Sequence, residues 1–118
     1  VISGIVVALP EELSTLTTKR VDKGRPVFIA NKILVAYSGT GSKNAQSAAE
    51  LLVSKGATQL ISWGCAAALK PTLKAGDLTL ADTLIDCNDE EISVDADWHG
   101  YSKNILSKVL TVHTGRLT

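Results

Sequence analysis

The chain has 118 residues, 45% of them apolar, and its 12 basic side chains balance 12 acidic ones. That length and composition fit one soluble globular domain or a part of one. The charge balance, with no long run of either sign, provides no bulk field for nucleic acid or an anionic surface, so the expected partner is a small molecule. No apolar run is long enough to span a bilayer and no charged-then-apolar leader occurs, while Cys65 and Cys87 lie far apart without a Cys-x-x-Cys pairing. A cytoplasmic protein with free thiols is the expectation.

Residues 2–9 are rich in Ile and Val and free of charge, the pattern of a strand covered on both faces. Pro10 ends it and opens a short helix over 11–18, because a proline at the first helical position loses no needed amide and Glu11 and Glu12 oppose the N-terminal dipole. Residues 17–26 are charged and polar and read as a surface loop. Two antiparallel strands are predicted over 27–30 and 33–38, joined at Asn31-Lys32 with Asn31 taking the positive φ.

Over 42–55, Ala45, Ala48, Ala49 and Leu52 recur at helical spacing and Gly56 supplies a stop. Strands are predicted at 59–63 and 78–85, a polar loop at 86–97, and an amphipathic helix carrying Tyr101, Ile105, Leu106, Val109 and Leu110 before a last strand from Thr111. Strands alternating with helices, plus one hairpin, predict an α/β fold with a mixed, mostly parallel sheet flanked by helices. No internal repeat or linker divides it, so residues 1–118 are read as a single domain.

Three stretches carry the chemistry. Glu11 and Glu12 sit where a strand gives way to a helix, the edge at which open α/β sheets bind ligands, and either carboxylate can serve as a general base or simply as helix-start charge. Ser38-Gly39-Thr40-Gly41 joins a strand to a helix N-terminus, which suits an anion or a sugar hydroxyl as well as a plain turn. The glycine spacing there matches neither the dinucleotide fingerprint nor the phosphate-binding P-loop. Gly64, Cys65, Ala66, Ala67 and Ala68 are all small, which permits close approach of a ligand to the backbone or close strand–helix packing.

Other groups have plainer readings. Cys65 has no accompanying histidine signature for a nucleophile, so a buried small apolar residue is expected there and at Cys87. The acidic run from Asp86 to Asp97 before His99 matches no calcium or zinc spacing and reads as a solvated loop. Trp98 and Tyr101 are expected in core or interface packing, Gly76 in a turn, and Asp77 bonded to backbone amides.

In order, Ala8-Leu9-Pro10-Glu11-Glu12-Leu13, Ser38-Gly39-Thr40-Gly41 and Ser62-Trp63-Gly64-Cys65-Ala66 with the Pro71-x-Leu73-x-x-Gly76-Asp77 turn resemble the signature of the purine nucleoside phosphorylase and nucleosidase superfamily. The resemblance covers the whole chain as the N-terminal half of such a domain and is strongest at 2–13, 36–49 and 60–80. Ser62 to Ala66, together with Val112-His113-Thr114-Gly115-Arg116-Leu117, looks like the hopanoid-associated branch, whose members are described as phosphorylases or as nucleosidases acting on adenosylhopane. Cys65, Ala67 and Ala68 stand where the usual pattern has a Ser or Thr and two glycines.

The resemblance implies cleavage of the N-glycosidic bond of an adenosine-type purine nucleoside by water or phosphate, with no metal or organic cofactor and phosphate as the alternative co-substrate. Glu12 would activate the attacking water. Ala8, Glu11, Ser38, Gly39, Thr40, Gly41, Gly64, Cys65 and Ala66 would line the substrate side. The only arginines, Arg20, Arg25 and Arg116, lie outside the three motifs, which favours water over phosphate. Members are commonly homo-oligomers, and the groups that grip the ribose hydroxyls and protonate the departing purine would lie beyond Thr118, so the isolated chain is expected to be inactive. The competing reading is a non-catalytic binding or interaction module that keeps the fold.

Overall fold

Apolar residues stand on both faces of Ile2–Val7 (β1) and Ile33–Tyr37 (β3). Such strands belong in the middle of a sheet with cover on both sides. The computed structural model describes residues 1–118 and divides them into two compact units, Val1–Ala66 and Ala67–Thr118. In the first, four strands lie in the order β2-β3-β1-β4, with β2 at Val27–Ala30 and β4 at Ala57–Trp63. β1 runs parallel to both β3 and β4, and β2 pairs antiparallel to β3.

The helix α2, Ser42–Ser54, carries the chain from β3 across to β4. Its Ala48 and fully buried Leu52 pack with Leu34, Ala36 and Ala57, and Ile2 and Val6 flank this cluster. Ala45, which the spacing assigns to the same face, is exposed, because the helix meets the sheet only along its later turns. Gly4 lets it come close: a Cβ there would stand 2.9 Å from Leu60 and 3.1 Å from Leu52. The opposite face of the sheet buries Ile5, Val7 and Val35 under Leu13, Leu16, Ile29 and Ile61.

The first helix, α1, is one turn, Pro10–Leu13, shorter than the predicted 11–18. Beyond it the chain continues in tight turns, with Thr15 and Ser14 hydroxyls donating back to the carbonyls of Glu12 and Glu11. Such back-bonding by short hydroxyl side chains offers the backbone an alternative to helix. In the hairpin between β2 and β3 the positive φ falls on Lys32 (66°), not on Asn31 as predicted. The Lys32 carbonyl then accepts from the Ser3 amide at 2.9 Å, tying the turn to β1.

In the second unit, Leu78–Ile85 (β5) pairs antiparallel with Glu91–Ser93 (β6) and parallel with Val112–Leu117 (β7), in the order β6-β5-β7. The predicted loop at 86–97 thus contains a strand. Asp86 closes the hairpin, its Oδ1 accepting from the Asn88 and Glu90 amides, so this acidic run is turn chemistry. The helix α3, Ala96–Leu106, starts from the Asp95 cap, whose Oδ1 accepts from the Trp98 amide at 2.8 Å. It stops at Ser107, so Val109 and Leu110 lie outside the helix that the apolar spacing predicts.

Tyr101, 62% exposed, is not in a core of this chain, while Trp98 is half-buried. Asp77 accepts from the Lys74 amide at 2.9 Å and stands 3.5 Å from His113. Both cysteines are exposed free thiols, which corrects the expectation that they are buried. No helix is long and apolar enough to cross a membrane.

Two stability outcomes follow from the first unit. Leu52→Ala empties a fully buried site beneath α2 and should cost about 2–5 kcal/mol in urea unfolding, whereas Val53→Ala on the exposed side should stay within about 0.5 kcal/mol. Lys32→Gly should raise the unfolding midpoint by removing left-handed strain of about 1 kcal/mol, and Lys32→Val should lower it.

Candidate active site

Parallel register sets the site. Val7 lies level with Tyr37 on one side and Trp63 on the other, so β3, β1 and β4 end together and release their following segments at the same carboxyl edge. That edge is where open α/β sheets bind ligands. The three sequence motifs are those three segments.

Glu12 is only 7% exposed, although it is charged and sits in a one-turn helix. Its carboxylate is held from two sides: Oε1 accepts from the Leu9 amide at 3.2 Å and Oε2 from the Cys65 amide at 2.6 Å. The Leu9 bond is half of a capping box, since leucine has no oxygen to return the favour. The Cys65 bond reaches across 53 residues to the end of β4. No lysine or arginine pairs with Glu12. Each oxygen therefore keeps acceptor capacity beyond its amide bond.

Gly64 completes the seat. A Cβ built on it would stand 2.7 Å from the Glu12 Cδ and 3.0 Å from Oε1, closer than any side chain can approach. Thr15 donates to the Glu12 carbonyl at 2.6 Å and accepts from the Trp63 indole Nε1–H at 2.9 Å, which fixes the ring beside the carboxylate. Leu9, Glu11, Glu12, Thr15, Trp63, Gly64 and Cys65 line an open cleft of about 410 Å³. The arrangement offers one anchored carboxylate on a mostly apolar wall, able to accept a hydrogen bond or a proton from a small polar molecule.

Of the residues singled out from sequence, Glu11, Glu12, Gly64 and Cys65 meet in this cleft. Ala8 is half-buried and Ala66 exposed, and neither lines it. Ser38 is buried beneath the edge, where its hydroxyl donates to the Val7 carbonyl (3.2 Å) or that of Gly39 (2.7 Å) and its amide donates to Val7 at 2.8 Å. Gly39 and Gly41 adopt φ of 78° and 98°, and Gly41 begins α2 without a side-chain cap. Asn44 Nδ2 donates to the Thr40 carbonyl at 2.7 Å, and the Lys23 Nζ lies 3.3 Å from the point a Gly39 Cβ would occupy. The Ser38–Gly41 segment is thus a turn braced by backbone bonds and does not line the Glu12 cleft.

Sequence reasoning missed Leu9, Thr15 and Trp63 as cleft residues. A tryptophan as the last residue of a strand, followed at once by glycine, was the available signal for Trp63. Leu9 acts through its amide and Thr15 through a long-range bond to the indole, so neither had one.

Solved structures share this fold at 20% sequence identity. A variant of the Helicobacter pylori 5′-methylthioadenosine/S-adenosylhomocysteine nucleosidase, solved with 5′-methylthioadenosine in its active site, superposes with a TM-score of 0.78 over 98% of this chain and 62% of its own. The corresponding Neisseria meningitidis nucleosidase, in complex with methylthio-immucillin-A, gives 0.77 at 20% identity over 98% and 62%. The futalosine hydrolase of Helicobacter pylori gives 0.75 at 20% identity over 97% and 61%. The chain therefore spans about 62% of the length of these structures. No curated protein sequence matches it. The sequence model of the phosphorylase superfamily matches residues 3–114, almost the whole chain, and the chain belongs to that superfamily.

Proposed function

We propose that this chain is the N-terminal part of a purine nucleosidase, with Glu12 activating the water that attacks the anomeric carbon. The observation that carries the reading is the buried, doubly anchored Glu12 carboxylate facing a cleft at the carboxyl edge of the parallel strands. In the reaction, the C1′–N bond breaks towards a ribosyl cation-like transition state and the purine leaves with the bonding electrons and takes up a proton. Water oxygen bonds to C1′ while its proton passes to the Glu12 carboxylate, which is general base catalysis.

Water rather than phosphate is supported by a cleft lined by no arginine or lysine, the side chains that usually neutralise a phosphate dianion. The nucleosidase and hydrolase names of the structural neighbours point the same way. An adenosine-type nucleoside with an apolar 5′ substituent is the proposed substrate, a reading supported by the exposed apolar side chains of Leu9 and Trp63 on the cleft and by the likeness of the motifs to the hopanoid-associated branch. The groups that hold the ribose hydroxyls and protonate the purine belong to a part of the enzyme outside residues 1–118, and a cytoplasmic homo-oligomer is the proposed working form.

The test is free-base release from adenosine and its 5′-alkylthio analogues by the complete gene product, with and without phosphate. Phosphate-independent release is expected, and Glu12→Gln should lower kcat about 10²- to 10⁴-fold with little change in KM. Strict phosphate dependence would make the enzyme a phosphorylase. Absence of turnover in both conditions would leave the binding-module reading in its place.

A further inference from the structure

We infer that Gly64 and the main-chain N–H of Cys65 are the positioning elements for Glu12: the amide latches one carboxylate oxygen, and the missing side chain at 64 leaves the space that the latched carboxylate occupies. This rests on the nucleosidase reading for its catalytic consequence, though not for its geometry. The Cys65 amide is the shorter of the two bonds to the carboxylate, at 2.6 Å against 3.2 Å for Leu9. The Leu9 bond is local, three residues away, and accompanies the helix start wherever that turn goes. The Cys65 bond alone fixes the carboxylate against β4.

The steric half of the seat is independent of the bond. Gly64 does not occupy the left-handed region, so an alanine there is not strained by its own backbone. What it meets is the Glu12 carboxylate, three of whose atoms lie within 3.0 Å of the Cβ position. The Glu12 side chain is the part that can yield, and its hydrogen bond makes that costly. Gly64 follows directly on Trp63, the last residue of β4, which is in register with Val7 and bonded to Thr15. Glu12 can swing away only by giving up the Cys65 amide and leaving a charged group short of a donor in a buried place. A displacement of about 1 Å in a catalytic group is enough to lose two orders of magnitude in rate.

The experiment is a double-mutant cycle between positions 64 and 12 in the complete gene product, read two ways. In kinetics, Gly64→Ala should lower kcat about 10²-fold with KM nearly unchanged, and adding it to Glu12→Gln should cause no further loss. A loss that multiplies with that of Glu12→Gln, or no loss at all, overturns the positioning role. In thermal unfolding, Gly64→Ala should lower Tm by several degrees when Glu12 is present and by much less in a Glu12→Ala background, where the clashing carboxylate is gone. An equal fall in both backgrounds overturns the contact itself. If the wild type turns over no nucleoside, the catalytic reading fails by itself, while the Tm cycle still decides whether Gly64 and Glu12 share this space.

Discussion

The parallel pairing of β1 with β3 on one side and β4 on the other is the constraint from which the rest of the first unit follows. Parallel strands cannot be joined by a hairpin, so the chain needs a long crossover from β3 to β4, and α2 is that crossover. The crossover has to lie against the sheet, which requires the flat patch that Gly4 provides and the apolar stripe that ends in Leu52. The same pairing brings Val7, Tyr37 and Trp63 level, and thereby gathers segments distant in sequence at one edge. The site is a by-product of register.

At that edge the fold accepts a cost. Burying a carboxylate without a partner costs several kcal/mol, and a hydrogen bond to a charged group returns about 1.5–3 kcal/mol. Two amide bonds are therefore of the right size to offset that cost. A lysine or arginine would neutralise it more completely, but would also occupy the acceptor positions and weaken its pull on a water molecule. Backbone amides orient the group and add no formal charge, which leaves the carboxylate free to interact with what enters the cleft.

How much of this was legible in the sequence depended on how local the cause was. β1, α2 and β5 declare themselves through runs of apolar residues or helical spacing, and their observed bounds differ from the predicted ones by two residues at most. Where short polar side chains compete for the backbone, prediction failed: Thr15 and Ser14 cut α1 to one turn, and the turn made by Asp86 hid the short strand β6. Val109 and Leu110 continue an apolar spacing after the helix has ended at Ser107, since periodicity says which face would be apolar and not where the hydrogen bonds stop. The Glu11-Glu12 pair was visible as a candidate site. That Glu12 is the buried member and Glu11 the exposed one depends on a contact with residues more than 50 positions away, and no local pattern encodes that.

The same long-range contact explains how the chain can carry unusual residues in its third motif. Cys65, Ala67 and Ala68 replace a hydroxyl residue and two glycines of the common pattern, which on side-chain chemistry alone counts against a working site. The bond that Cys65 makes to Glu12 uses its amide, and every residue except proline has one. The side chain at 65 is thus free to vary without disturbing the carboxylate, while position 64 is not, because its lack of a side chain is the contact. Retention of Gly64 beside a changed Cys65 is what the geometry demands of a chain that keeps Glu12 in place, and it is a stronger argument for the enzyme reading than the residues at 65, 67 and 68 are against it.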